Sequence, residues 1–118
     1  MKKIYHLSTC NTCARIINEL NPPDDMVLQD IKSEPISNDQ LEEMRRLTDS
    51  YESLFSKRAR LYKELGLKDK NLSDNDYKNY ILEHYTFLKR PVTILHDNIF
   101  IGNSKKVIEA TKNALNDQ

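Results

Sequence analysis

The two cysteines of this chain, Cys10 and Cys13, are separated by two residues and lie near the amino terminus. A short apolar run, Ile4-Tyr5, precedes them, and an amphipathic segment that begins at Ala14 follows them. This order predicts a strand that ends before the cysteines and a helix that begins with them. The first turn of a helix offers unpaired N–H groups and the positive end of the helix dipole, so a thiolate there is stabilised. We therefore predict a redox site with Cys10 as the nucleophile and Cys13 as the resolving thiol.

The composition limits the class of protein to which the chain can belong. Its 118 residues are enough for one domain with a single modest core. The 18 basic and 18 acidic residues cancel, which argues against a protein held to nucleic acid or to a membrane by bulk charge. No apolar run is long enough to span a bilayer, and residues 1–6 lack signal-peptide character. We expect a cytoplasmic protein, in which a close cysteine pair is more often catalytic, redox-sensing or metal-binding than structural.

The segments around the cysteines predict a mixed sheet. In chain order we expect a strand at 2–7, a helix from the cysteines to about 20, strands at 26–31, 92–96 and 99–102, and a helix at about 104–115. The first three elements form a βαβ unit with parallel strands. The two later strands form a hairpin around Asp97-Asn98. This order suits an α/β, thioredoxin-like (glutaredoxin-like) fold, with a βαβ…ββα core and a four-stranded mixed sheet.

Residues 32–90, between the two halves of this core, are expected to form an all-helical insert. Ser37 followed by Gln40 is a capping-box pattern, a second helix begins after Ser73, and Gly66 is a plausible helix stop. The side chains of the insert that we expect to be buried are Leu41, Met44, Leu47, Tyr77, Tyr80, Ile81 and Tyr85. The tyrosines are interpreted as packing residues rather than as a nucleic-acid stacking surface, because the chain has no basic stripe.

Three segments resemble the arsenate reductase/Spx family. They are the loop Cys10-Asn11-Thr12-Cys13-Ala14-Arg15, the segment 56–67 with its ending Glu-Leu-Gly-Leu, and the segment 83–92 with Arg90-Pro91-Val92. The order and spacing of the family are kept over nearly the whole chain, so residues 1–118 are identified as one domain of this type. The resemblance implies a thioredoxin-like core with a helical insert. It also implies a cis Arg90–Pro91 bond that faces the cysteine loop.

The two branches of the family imply different functions. Arsenate reductases of this type use one cysteine together with glutathione and glutaredoxin, and arginines hold their oxyanion because guanidinium groups match it. Arg90 matches one of these arginines, whereas another would fall at Ser56, close to Arg58 and Arg60. The Cys-x-x-Cys pair and Arg58 look more like the Spx branch, whose members are redox-switched partners of the RNA polymerase α subunit. We favour a reductase-like enzyme and keep an Spx-like regulator as the alternative.

The predicted site combines the residues with the resemblance. The catalytic residues are Cys10, Cys13 and Arg90, and the substrate-binding residues are Asn11, Thr12, Arg58, Arg60 and Pro91. A solvated helix face is the alternative interpretation of both Arg58 and Arg60. No metal is expected, because no second Cys or His pair completes a zinc site. The predicted substrate is a small oxyanion or a disulfide. Glutathione or another thiol is the expected reductant, and glutaredoxin or thioredoxin the expected protein partner, with no direct contact to nucleic acid or a membrane.

Overall fold

Residues 2–117, which the computed structural model describes, form four strands and five α-helices. The strands are β1 (Lys2–His6), β2 (Val27–Asp30), β3 (Val92–Leu95) and β4 (Asn98–Ile101). The helices are α1 (Asn11–Leu20), α2 (Asn38–Leu47), α3 (Arg60–Glu64), α4 (Asp74–Glu83) and α5 (Lys105–Asn116). Single 3-10 turns lie at Glu52–Leu54, Leu67–Asp69 and Tyr85–Phe87.

The strands form one mixed sheet in the order β2-β1-β3-β4. Strands β1 and β2 are parallel, with His6 opposite Asp30, whereas β1 and β3 are antiparallel, with Tyr5 opposite Val92. The end of β1, the end of β2 and the start of β3 therefore lie at the same edge of the sheet. The cysteine loop leaves β1 at this edge, between its two neighbouring strands. The predicted α/β fold with a four-stranded mixed sheet is confirmed.

Residues 2–35 and 90–117 form one compact unit, and residues 36–89 form a second. The first unit contains the sheet with α1 and α5. The apolar side chains of its core cluster are Ile4, Ile16, Leu20, Met26, Leu95 and Ile108. Helix α1 contributes Ile16 and Leu20 to this cluster because they recur at helical spacing. That residues 1–118 behave as a single domain stays a prediction.

The hairpin between β3 and β4 differs from the prediction. Leu95 pairs with Asn98, so the two connecting residues are His96 and Asp97, and the predicted turn at Asp97-Asn98 is wrong by one residue. The apolar runs 92–96 and 99–102 leave Asp97-Asn98 between them, and this spacing alone predicts the turn there. In the structure His96 has a positive φ of +56°, and Asn98 begins β4 instead.

The second unit is helical, as predicted. The capping box is confirmed, since the Ser37 Oγ accepts the Gln40 N–H at 3.1 Å and the Gln40 Oε1 accepts the Ser37 N–H at 3.1 Å. Ser73 caps α4 in the same way, and Gly66 has φ of +64°. Of the side chains predicted to be buried, Leu41, Met44, Tyr77 and Ile81 are buried, whereas Leu47, Tyr80 and Tyr85 are half-buried.

Candidate active site

The cysteine loop is a tight turn that joins β1 to α1. Its central residues are Ser8 and Thr9, and it is closed by a hydrogen bond from the Cys10 N–H to the Leu7 carbonyl at 3.0 Å. Cys10 is also the N-cap of α1, because its carbonyl accepts the Ala14 N–H at 3.1 Å. The first turn of α1 carries no acidic residue. The Cys10 sulfur therefore lies at the positive end of the helix, and no carboxylate in that turn opposes a negative charge there.

Cys10 is half-buried and its surroundings favour the thiolate. Burial by itself raises the pKa of its thiol, but hydrogen bonds from the Cys13 backbone, the Cys13 thiol, the Thr12 backbone and the Arg90 side chain lower it. The hydrogen bonds outweigh burial, so the Cys10 pKa is below the ordinary value of 9.0. A lowered thiol pKa at a half-exposed position is the property that a nucleophilic cysteine needs.

Cys13 has the opposite character. Its side chain is buried, and burial raises its pKa, which a hydrogen bond from the Leu7 backbone partly offsets. A negative charge on Cys10 and the hydrogen bond with that sulfur raise the pKa further, and Arg90 lowers it again, with a net value of about 11. Both cysteines are free thiols in this structure. At neutral pH the pair consists of a thiolate-forming Cys10 and a protonated Cys13.

Sheet topology brings Arg90 and Pro91 to the cysteines. Because Tyr5 pairs with Val92 in antiparallel strands, the residues before Val92 lie beside the residues after Tyr5, where the loop begins. Pro91 is buried, and the Arg90–Pro91 peptide bond is cis. The Arg90 side chain is half-buried and hydrogen-bonds the Cys10 sulfur.

The remaining predicted site residues separate into two groups. Asn11 and Thr12 begin α1, where Asn11 is exposed and Thr12 supplies a backbone N–H to the Cys10 sulfur. Arg58 and Arg60 lie in the helical unit, and both side chains are exposed. A substrate-binding role for these two arginines stays a prediction.

Asp30 is the residue of this region that the sequence analysis missed. It ends β2, and its carboxylate accepts the Ser8 N–H at 3.0 Å, the Lys32 N–H at 3.2 Å and the Ser33 hydroxyl at 3.0 Å. These hydrogen bonds, led by that of the Ser8 backbone and joined by one from the Ser8 hydroxyl, hold the pKa of Asp30 well below its ordinary value. The signal that could have found it is the parallel βαβ unit, which brings the ends of β1 and β2 together.

The loop also borders open space. A cavity of about 420 Å³ is lined by His6, Leu7, Ser8, Ala14, Ile17, Asn18 and Leu28. Leu28, on the edge strand β2, is 45% exposed, so one wall of the cavity is an accessible apolar side chain. Within residues 2–117, no three His, Cys, Asp or Glu side chains are grouped closely enough to hold a metal ion. None of the described helices has the length and apolar composition needed to cross a membrane.

The two cysteines are expected to react with iodoacetamide at different pH. Only the thiolate reacts, so a lowered pKa starts the reaction at lower pH and a raised pKa delays it. The initial rate at Cys10 should reach half its maximum below pH 9.0, whereas Cys13 should stay unreactive until the pH approaches about 11 in molecules whose Cys10 is still unmodified. Peptide mass spectrometry after timed labelling from pH 5 to 11 assigns each rate. A single pH profile shared by both cysteines would contradict this asymmetry.

The chain is similar to proteins of two different descriptions. It is 26% identical over 112 residues to the global transcriptional regulator Spx of Bacillus subtilis (strain 168), covering 92% of this chain and 84% of that protein. It is 28% identical over 95 residues to an arsenate reductase of Yersinia enterocolitica, covering 77% of this chain and 66% of that protein. The solved structure of the arsenate reductase from Vibrio cholerae aligns with a TM-score of 0.76 at 22% identity, covering 92% of this chain and 95% of the other.

These similarities bear on the fold and on the family. The structural alignment confirms the predicted thioredoxin-like fold, in which the cysteine loop follows the first strand. The model of the ArsC family matches residues 5–111, a span that includes the cysteine loop, the helical insert and Arg90-Pro91. Because this match extends over most of the sequence, the chain belongs to the ArsC family.

Proposed function

We propose that this protein is a thiol-dependent reductase in which Cys10 attacks the substrate and Cys13 resolves the adduct. The observation that carries the proposal is the opposite shift of the two thiol pKa values within one helical turn. Cys10 is half-exposed with a lowered pKa, and Cys13 is buried with a raised one. In a pair of this kind, one thiolate is available to attack the substrate, and the other thiol stays protonated until it resolves the mixed disulfide.

With a disulfide substrate, the first step forms a mixed disulfide. The Cys10 thiolate attacks one sulfur of the substrate, the substrate S–S bond breaks, and the other substrate sulfur leaves as a thiolate. Arg90, which hydrogen-bonds the Cys10 sulfur, adds positive charge beside the reacting atom. The cavity beside the loop, with Leu7, Ile17 and Leu28 in its lining, offers an apolar surface that the substrate can contact.

In the second step Cys13 attacks the mixed disulfide. This step follows the first because the reaction of Cys10 changes the Cys13 pKa. The charge on Cys10 and the hydrogen bond with that sulfur are two of the causes that raise the Cys13 pKa. Both are lost when Cys10 becomes part of a mixed disulfide, whereas the field of Arg90 remains, so the Cys13 pKa falls. Cys13 then attacks the Cys10 sulfur, its proton goes to the departing thiolate, and two thiols have become one disulfide. Two molecules of glutathione, or one dithiol protein such as glutaredoxin or thioredoxin, supply the two electrons that restore the thiols and become a disulfide themselves.

A tetrahedral oxyanion such as arsenate is the second substrate class of the same site. Arg90 beside the thiolate favours it, because guanidinium groups hold oxyanions with paired hydrogen bonds. The similarity to the Yersinia enterocolitica arsenate reductase points in the same direction. In this chain Ser56 stands where the family pattern has a further arginine, and the lack of that arginine favours a disulfide over an oxyanion as the substrate.

The proposal is tested by turnover with both substrate classes. The purified protein is assayed with glutathione, glutaredoxin and either hydroxyethyl disulfide or arsenate, following NADPH oxidation through glutathione reductase. We expect turnover with the disulfide, and we expect Cys13→Ser to lose turnover at low glutathione and recover it at high glutathione. The same assay without the protein is the control. No turnover of either substrate, together with an ordinary Cys10 pKa, would overturn the proposal.

An Spx-like regulator is the second candidate function, and the similarity to Spx over 92% of this chain favours it. In this case the cysteine pair acts as a redox switch, and the partner is the RNA polymerase α subunit. Binding of the purified α subunit to the reduced and oxidised protein distinguishes the two functions. Binding that depends on redox state supports the regulator, and equal absence of binding in both states removes it.

A further inference from the structure

The carboxylate of Asp30 connects β2 to the cysteine loop. Two of its donors, the Lys32 N–H and the Ser33 hydroxyl, belong to the turn that Asp30 itself begins. The others are the N–H of Ser8, at 3.0 Å, and the Ser8 hydroxyl. Ser8 is 22 residues away in sequence and lies in the turn that ends at Cys10. Asp30 thus shapes two turns at once, and one of them carries the predicted nucleophile.

The hydrogen bond to Ser8 fixes the peptide group that closes the turn at Cys10. The Leu7 carbonyl and the Ser8 N–H belong to the same planar peptide unit, so orienting one orients the other. The carbonyl accepts the Cys10 N–H at 3.0 Å, and the N–H donates to Asp30 on the opposite side of the unit. The N–H of Leu7, which belongs to the preceding peptide unit, donates to the Cys13 sulfur. A peptide held at both ends keeps the turn closed and keeps Cys10 at the start of α1.

We propose that Asp30 is a positioning residue of the cysteine loop, which acts through the Leu7–Ser8 peptide group. Its effect on turnover rests on the proposed function, but its effect on the reactivity of Cys10 does not. The Asp30 carboxylate is ionised at neutral pH, and an ionised acceptor makes the stronger hydrogen bond, which is why its donors lower the pKa of Asp30. When the bond to Ser8 is lost, the turn loosens, and the helix-start N–H groups no longer point steadily at the Cys10 sulfur.

The test measures the iodoacetamide reactivity of Cys10 as a function of pH in position-30 variants. Asp30→Ala is expected to raise the apparent Cys10 pKa and to lower the rate at pH 7 by about tenfold, because a rise of about one pKa unit reduces the thiolate fraction by that factor. Asp30→Asn keeps an oxygen acceptor and is expected to fall between wild type and Asp30→Ala. If Asp30→Ala does not fold, the comparison of Asp30→Asn with wild type decides, and equal profiles overturn the proposal.

A double-mutant cycle separates this role from a general effect on the fold. Ser8→Pro removes both the N–H and the hydroxyl that donate to Asp30, at a turn position that proline commonly occupies. If Asp30 acts through Ser8, then Asp30→Ala changes the Cys10 rate by less than about twofold in the Ser8→Pro background. Independent, multiplicative effects of the two substitutions overturn the proposal, and so does an Asp30→Ala profile that matches wild type.

Two control variants remove similar polar groups but leave the hydrogen bond between Asp30 and Ser8 intact. Ser33→Ala removes a donor to Asp30 but leaves the bond to Ser8. Asp74→Ala removes a carboxylate in the helical unit that likewise accepts two backbone N–H groups, those of Tyr51 and Glu52. Both should leave the Cys10 profile within about twofold of wild type. A lowered reactivity in Asp30→Ala with no turnover in wild type would support the positioning role and reject the proposed function, so the two outcomes remain distinguishable.

Discussion

Replacement of Cys10 by serine is expected to lower turnover of the disulfide or oxyanion substrate by at least about 1000-fold. A serine hydroxyl keeps its proton at neutral pH, even at the start of a helix and beside Arg90, so no anionic nucleophile forms. Its oxygen also cannot enter a disulfide, which removes the second step together with the first. The measurement is the steady-state rate with hydroxyethyl disulfide at saturating glutathione, with wild type run in parallel.

Cys13→Ser is the matched control for this substitution, because it makes the same change three residues away. It leaves the nucleophile in place, so an external thiol can still resolve the mixed disulfide and turnover survives at high glutathione. Cys10 is half-buried and contributes its backbone to the turn and to α1, which serine preserves. Circular dichroism should therefore show an unchanged fold. Wild-type turnover in Cys10→Ser would show that Cys10 is not the nucleophile.

Much of the framework follows from local pattern. Alternating and continuous apolar runs indicate the strands. The starts of two helices are indicated by Ser37, with Gln40, and by Ser73, because a capping box forms within four consecutive residues. The cysteine site was predictable for the same reason, because its two thiols and the helix start that stabilises them are adjacent in sequence. The family resemblance added Arg90-Pro91, which lies about 80 residues from the cysteines along the chain and beside them in the sheet.

Long-range features were harder to predict from the sequence. The bond at 3.0 Å between Asp30 and Ser8 involves a backbone N–H, which every residue except proline carries. The Ser8 hydroxyl also donates to Asp30, but a serine gives no sequence signal of a partner 22 residues away. The turn at His96 was misplaced by one residue because sequence periodicity does not fix the last pair of a hairpin. Phe55 is a buried side chain of the helical unit that the sequence analysis did not predict. It lies just after a 3-10 turn, where helical spacing gives no signal.

Phe55→Ala is expected to lower the free energy of unfolding by about 3–5 kcal/mol. The side chain is 1% exposed, and its ring stacks on that of Phe87 at a centroid distance of 5.2 Å. It also makes edge contacts with Tyr77 at 4.8 Å and Tyr62 at 5.8 Å. Truncation to alanine removes these contacts and leaves a cavity that three rigid rings cannot readily fill. Urea unfolding followed by circular dichroism measures the loss.

The position of Phe55 explains why this loss should be large. Its backbone pairs with that of Leu88 in an isolated bridge, flanked by hydrogen bonds from the Ser56 N–H to the Phe87 carbonyl at 2.7 Å and from the Lys89 N–H to the Leu54 carbonyl at 2.8 Å. The ring cluster and this bridge join the two ends of the segment 55–88, so loss of the ring weakens the closure of the helical unit. Leu65→Ala, at a leucine that is 49% exposed in the same unit, is the control and should cost at most about 0.5 kcal/mol. If Phe55→Ala cost no more than Leu65→Ala, the aromatic cluster would not be the stabilising centre of the helical unit.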